Sequence, residues 1–253
     1  MFEKYTEFIK NGSFSLSQDY LQDELLIEQS GDLSVFYAPF DYINFEAKIV
    51  ICGITPGKQQ SIMALQEACK KLNSGATKLE TLRSVKTSAS FGGSMRLNLI
   101  KLLDFIGLPE NLKIKSSSEL FGSQSGIVHY TSALRYPVFI SLDNYSGSPS
   151  MLSNSFLRKQ LEQNLLPELS KLGTSTIYIP LGPKVEEALI FSANEGVIRE
   201  EQILAGLPHP AGTNSERIAY FLKNKPKNQL SSKTNAKKID ASREKILATI
   251  ASM

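Results

Sequence analysis

Lys48-Ile49-Val50-Ile51-Cys52-Gly53-Ile54 leads without a break into Thr55-Pro56-Gly57-Lys58. An apolar run that short, with no polar alternation, reads as a strand buried on both faces, and such strands belong to parallel sheets. The Pro-Gly turn ends the strand, and a helical period follows over 61–72. Three more runs of strand type, 127–134, 176–181 and 202–207, repeat the scheme. Further helices are expected over 94–106, 155–165, 183–192 and 213–222. Pro183 suits a first helical position, and Thr213 with Glu216 has the spacing of a capping box. The alternation predicts an α/β fold, a three-layer sandwich whose central four-stranded parallel sheet is covered by helices on both faces.

Working outward, residues 1–46 are rich in aromatics (Phe36, Tyr37, Phe40, Tyr42, Phe45) and read as two helices and a lead-in that pack on the body, 47–222. Beyond it, 223–253 reads as a basic flexible tail. Pro226 breaks the helix, 223–236 is a polar linker, and Ile239, Ile246, Leu247 and Ile250 share one side of a short terminal helix. The net charge of the 253 residues is only +3, yet the tail alone carries +6 and the first 222 residues −3. The tail suits a DNA arm or a solubilising terminus.

With 42% hydrophobic and 21% charged residues, disordered and fibrous classes are excluded. No apolar run approaches the roughly 20 residues of a membrane span, and the start lacks an export signal, so a cytoplasmic monomer is expected. Cys52 and Cys69 read as reduced thiols, and two Cys with two His at these spacings form no zinc or iron-sulfur site. No metal or cofactor is implied.

Ligands of open parallel sheets bind beyond the carboxyl ends of the strands. Two segments there stand out: Gly53-Ile54-Thr55-Pro56-Gly57-Lys58, and Leu207-Pro208-His209-Pro210-Ala211-Gly212-Thr213-Asn214. The first is not a phosphate loop. It is one residue too short between Gly53 and Gly57, and Gln59 stands where a magnesium-binding hydroxyl is needed.

As a pair, the two segments resemble the signature motifs of the uracil-DNA glycosylase superfamily, nearest to its Gly-x-x-Pro-Gly and His-Pro-Ser-Gly branches. Ser90-Phe91-Gly92-Gly93 is similar to the family's base-stacking segment, and His129-Tyr130-Thr131-Ser132 occupies the place of its base-reading strand. The resemblance spans about 47–222. It implies a DNA partner and a base pocket of Ile54, Pro56, Gly57, Phe91 and Ser132, with His209 and Thr55 as the catalytic pair. Phosphate would be held by Gly212, Asn214, Arg217 and Lys58.

The chemistry asks for such groups. A base must leave the stack before its N-glycosidic bond is reached, and negative charge then develops on the departing base. His209 is suited to donate to that charge. Thr55 departs from the family, which carries Asp or Asn there to position water; a threonine hydroxyl is a poor general base. His129 is a candidate helper if its side chain points to the pocket mouth. Gly57, where stricter family members block 5-substituted pyrimidines, leaves room for thymine or larger bases, or serves a backbone angle. Ser132 lacks the bidentate amide of the family's Asn. Three functions follow: a monofunctional DNA glycosylase for uracil-like, deaminated or 5-modified pyrimidines; a non-hydrolytic binder of flipped or modified bases; or an enzyme acting on free nucleosides.

Overall fold

The computed structural model describes residues 1–15 and 22–252. In chain order the elements are α1 (Phe2–Asn11), β1 (Leu26–Ser30), β2 (Leu33–Phe36), β3 (Ile49–Gly53), α2 (Lys58–Asn73), α3 (Lys78–Ala89), α4 (Ser94–Phe105), α5 (Leu108–Leu112), β4 (Val128–Ser132), β5 (Val138–Ile140), β6 (Asp143–Asn144), α6 (Ser155–Gln160), α7 (Leu166–Leu169), β7 (Ile177–Pro180), α8 (Pro183–Asn194), α9 (Ser215–Phe221) and α10 (Ala236–Ala251). A π turn, Leu161–Leu165, joins α6 to α7. The chain is α/β with two sheets, β1-β2-β5-β6 and β4-β3-β7. Among the described residues no helix is long and apolar enough to cross a membrane.

The three-stranded sheet is parallel. Ile49 lies opposite Ile177 and Cys52 opposite Pro180, while Lys48 N–H donates to the Ile127 carbonyl and Ala133 N–H to that of Gly53. All five residues of β3 are buried, as its unbroken apolar run requires. The expected fourth strand at 202–207 is reduced to one parallel bridge, Ile203 beside Tyr178. Its first residues turn instead as a short 3-10 helix, where the Gln202 amide bonds Thr176 O at 2.7 Å and Arg199 N at 2.9 Å. Gly206 at φ +119° then leaves the strand region, and Pro208 has no N–H to offer a ladder.

The packing gathers the chain into two compact units, each of three stretches. One comprises Met1–Phe45, Gly53–Ser90 and Tyr130–Leu172; the other comprises Glu46–Cys52, Phe91–His129 and Gly173–Met253. The first unit contains a sheet that the apolar pattern did not suggest. Where two helices were expected within 1–46, the described residues form only one, α1, which buries Phe2, Tyr5 and Ile9 along one face. A hairpin follows, with Leu26 opposite Phe36 and Ser30 opposite Leu33. Its two-residue Gly31-Asp32 turn is a hairpin signal that outweighs the local helical spacing. Helix α3 was also unforeseen, though Thr77 and Glu80 cap it reciprocally: Glu80 N–H donates to Thr77 Oγ1 (3.3 Å) and Thr77 N–H to Glu80 Oε2 (2.8 Å).

Several buried polar groups inside this unit are matched, whereas the Tyr5, Thr81 and Thr131 hydroxyls are buried without a hydrogen-bond partner among the described residues. The Tyr37 and Tyr136 hydroxyls donate to opposite oxygens of Asp41, at 2.7 and 2.9 Å, and Tyr5 stacks on Tyr37 with ring centroids 4.2 Å apart. Burial, reinforced by the Asp41 charge, holds both phenols above their ordinary range. Arg135 donates through Nε to Glu168 (2.6 Å) and through its second nitrogen to the Asn164 carbonyl (2.8 Å). Glu168 is 1% exposed, so this ion pair is nearly dry on the carboxylate side.

In the second unit, residues 223–236, expected as a flexible linker, fold back on α9. The Glu216 carboxylate accepts from Lys225 (2.8 Å), from both donors of Ser231 (2.6 and 3.2 Å) and from the Thr234 hydroxyl. Those bonds, Lys225 foremost, keep the Glu216 carboxyl well below the usual carboxylate range. They also replace the capping box expected of Thr213 and Glu216, because the carboxylate reaches four donors here. Helix α10 docks by burying Ile246 and Ile250. The Asn111 amide holds the Ile250 carbonyl at 3.2 Å, and Arg243 holds the Tyr220 carbonyl at 3.1 Å. Gly206 is where α10 comes nearest: a Cβ there would lie 2.9 Å from Ser242 O.

Candidate functional site

Two of the four motif segments, Gly53–Lys58 and Tyr130–Ser132, lie in the first unit and are sewn together. Ala133 N–H bonds Gly53 O (2.8 Å) and Leu134 N–H bonds Ile54 O (2.9 Å), continuing the parallel ladder past the strand ends. Thr55 extends the seam through its side chain. Its hydroxyl donates to Tyr136 O and accepts from Val138 N–H, both at 3.0 Å. The one proton of that hydroxyl is thus engaged by main chain, and Thr55 is a brace for the loop, with a single lone pair left over. Pro56 is buried, while Ile54 and Ser132 are half-buried at their strand ends.

Gly57 begins α2 at φ −84°, a conformation open to any residue, so no backbone angle demands glycine there. What a side chain would meet is Asn144: a Cβ at 57 would lie 3.3 Å from Asn144 Oδ1. That same oxygen accepts from Lys58 N–H at 2.8 Å. Space expected to be open beside Gly57 is therefore bordered by the Asn144 amide, a residue that no motif pointed to. His129 is 1% exposed. A buried position does not fit a helper at a pocket mouth, and the structural alternative accounts for it.

The other two, Phe91–Gly93 and Leu207–Asn214, lie in the second unit and are also tied together. Asn98, on α4, donates to Pro210 O at 2.9 Å and so joins the helix that follows Phe91-Gly92-Gly93 to the His209 loop. Phe91 is buried, 6% exposed, and has φ +49°. Such a backbone angle is strained for an aromatic residue by about 1–3 kcal/mol. The Arg96 guanidinium bonds the Phe91 carbonyl at 3.3 Å. The expected stacking face is thus largely covered.

His209 is half-buried, and Gly182 at the start of α8 leaves room for it: a Cβ at 182 would stand 3.3 Å from His209 Cβ. The Ala211 N–H donates to His209 Nδ1 at 3.2 Å. An Nδ1 that accepts carries no proton, so the neutral ring has its hydrogen on Nε2. Burial pushes the imidazole below its ordinary value, which favours this neutral form. His209 is therefore a neutral donor of fixed tautomer.

Farther along, Gly212 is exposed, and the Arg217 guanidinium bonds Asn214 Oδ1 (2.7 Å) and Lys233 O (3.5 Å). Arg217 and Asn214 are brought together, with the guanidinium exposed. Asn98, Gly182 and Tyr136 escaped the sequence analysis; each acts through a main-chain contact or close packing at a distant position, for which no local pattern exists.

No family model matches the chain, and no solved structure matches it significantly. A protein of Bacillus subtilis (strain 168), described as "Uncharacterized protein YoxB", is 34% identical over 229 residues, which span 90% of this chain and 90% of that protein. At that identity and coverage, the chain belongs to the same family as YoxB.

Proposed function

We propose that this protein is a monofunctional DNA glycosylase on a uracil-DNA glycosylase-like fold, excising a uracil-like, deaminated or 5-modified pyrimidine. The observation that carries the proposal is His209. Its Nδ1 is occupied by Ala211 N–H, and its Nε2–H remains to stabilise a departing base. In that reaction the bond from the sugar C1′ to the base nitrogen breaks, and its electron pair leaves with the base. The imidazole donates a hydrogen bond to the base oxygen where charge collects. Water adds to C1′ and loses a proton, giving an abasic site and free base. A neutral imidazole suffices, because the group it faces becomes an anion. The parallel strands followed by helices, and the order of the four motifs, agree with this fold. Arg217, beside Asn214, would contact phosphate.

A second function, non-hydrolytic recognition of a modified base, is favoured by Thr55, whose hydroxyl braces Tyr136 and Val138 and is not free to activate water. One experiment separates the two. End-labelled oligonucleotides bearing uracil, a thymine mismatch, hypoxanthine or bulky 5-substituted cytosines are incubated in single- and double-stranded form, then cleaved with alkali. Scission with one of these bases, abolished by His209→Ala, is the expected result. Retarded migration on modified DNA with the base still attached after prolonged incubation would establish the binder, and neither effect with any substrate would refute both.

A further inference from the structure

The last stretch of the second unit, from Ala211 to Ser252, carries nine cationic side chains and three carboxylates. Two of the carboxylates are internally neutralised, Glu216 by Lys225 and Asp240 by Arg243. Only Glu244 is left to oppose the remaining cations. Lys233, Lys237, Lys238 and Lys245 are exposed, and their ammonium groups have no carboxylate partner among the described residues. The backbone that carries them is held in place. Lys233 offers its carbonyl to Arg217, Asn235 caps α10 by accepting from Lys238 N–H at 3.0 Å, and the loop is bound to Glu216. Lys238 and Lys245 stand two helical turns apart, about 10 Å along the axis, which matches about three phosphate steps along one strand of a duplex.

The apolar side of α10 bears on the choice of partner. An amphipathic helix that lies on a bilayer needs its apolar face for the lipid. Here Ile246 and Ile250 are buried, and Asn111 and Gly206 meet the backbone of the helix from the protein side. No large apolar residue of 211–252 is exposed. What faces solvent is charge with no aromatic platform and no wedge, a surface suited to phosphates and indifferent to bases.

We propose that α10 and the loop before it form an ordered cationic face that binds the phosphodiester backbone of DNA without reading sequence. The choice of DNA as the polyanion rests on the glycosylase proposal; the cationic face itself does not. Because the backbone that bears the cations is ordered, they act as a platform and not as a trailing arm.

The test uses the full chain and a labelled, undamaged duplex, with binding followed by anisotropy across a salt series. Undamaged DNA offers no base to excise, so the result is readable whether or not the protein is a glycosylase. For the wild type, log K is expected to fall linearly with log salt, by about 0.9 per phosphate engaged. Replacing Lys237, Lys238 and Lys245 together by Gln should flatten the slope by about 2 to 3 units and weaken binding at least about tenfold at low salt. The same three positions changed to Arg should keep both slope and affinity, and thermal melts of each variant report that α10 is intact. Unchanged slope and affinity in a folded triple Gln variant would overturn the proposal. So would binding to phosphatidylserine vesicles with none to the duplex.

Discussion

The Thr55 hydroxyl and the His209 imidazole each sit in a loop that follows a strand or a single β-bridge, and they are occupied in opposite ways. Thr55 is engaged on both sides by main chain, the Tyr136 carbonyl and the Val138 amide. Among the described residues His209 is engaged at Nδ1 only, which leaves Nε2–H without a hydrogen-bond partner. The first loop therefore holds its shape through Thr55, while the second leaves a ring N–H unengaged. In a glycosylase, that contrast moves the catalytic weight from activating water to stabilising the leaving base. Under the proposed glycosylase reaction, Thr55 would brace the loop and His209 would carry the chemistry.

The sharpest way to break the comparison is His209→Ala. Loss of a donor aimed at developing charge should slow base release by about 100- to 1000-fold. Single-turnover assays on the best substrate check this, and a rate close to wild type would remove His209 from the chemistry. Next comes the scaffold behind Thr55. Glu168→Ala leaves the Arg135 guanidinium without its buried counter-ion, one residue before Tyr136, and should cost about 3 kcal/mol in urea unfolding. A change below about 1 kcal/mol would mean that Arg135 finds water easily. Smaller again is Thr55→Val, which keeps the shape and deletes two hydrogen bonds. We expect a loss of about 1–3 kcal/mol in stability with base release per folded molecule unchanged, and Thr55→Ser restoring stability. A large fall in turnover at unchanged stability would return Thr55 to the catalytic group.

The mildest effect is in pH. Burial sets the folded His209 value below the ordinary 6.5, so folding favours the neutral ring. The associated stability is fully present above the unfolded value and declines as pH falls through it toward the folded one. Base release should accordingly remain level from mildly alkaline pH down to about 6.5, and the ring resonances in NMR should titrate below that. An acid limb centred at or above the ordinary value would show that the imidazole is not shielded.

Legibility from sequence varied with the range of the interactions involved. Strand β3 and helices α4 and α8 follow from local apolar periodicity, and their positions agree with expectation to within a few residues. The β1-β2 hairpin has only the Gly31-Asp32 turn as a local signal, since β2 is buried at all four residues and β1 at none, so neither strand shows a clean alternation. The shortened fourth strand depends on Gln202 choosing a side-chain bond to Thr176 O, a choice invisible in composition. At the site, His209 was legible as a chemical group, but its tautomer depends on one amide two residues away. Thr55 was legible as a departure, but its bracing role required partners more than 80 residues distant. The ordering of 223–236 likewise hangs on Glu216, which looked like a capping residue.

The two compact units each take three separate stretches, so the polypeptide passes from one to the other five times. Neither can be excised by a single cut, because no one boundary separates all of one unit from all of the other. Early-made segments such as Glu46–Cys52 must wait for partners near residue 177, which makes closure entropy a large share of the folding barrier. Recombination between related coding sequences would meet the same obstacle. Neither unit is a module that could be exchanged alone, and the first loop cannot be inherited without the histidine loop.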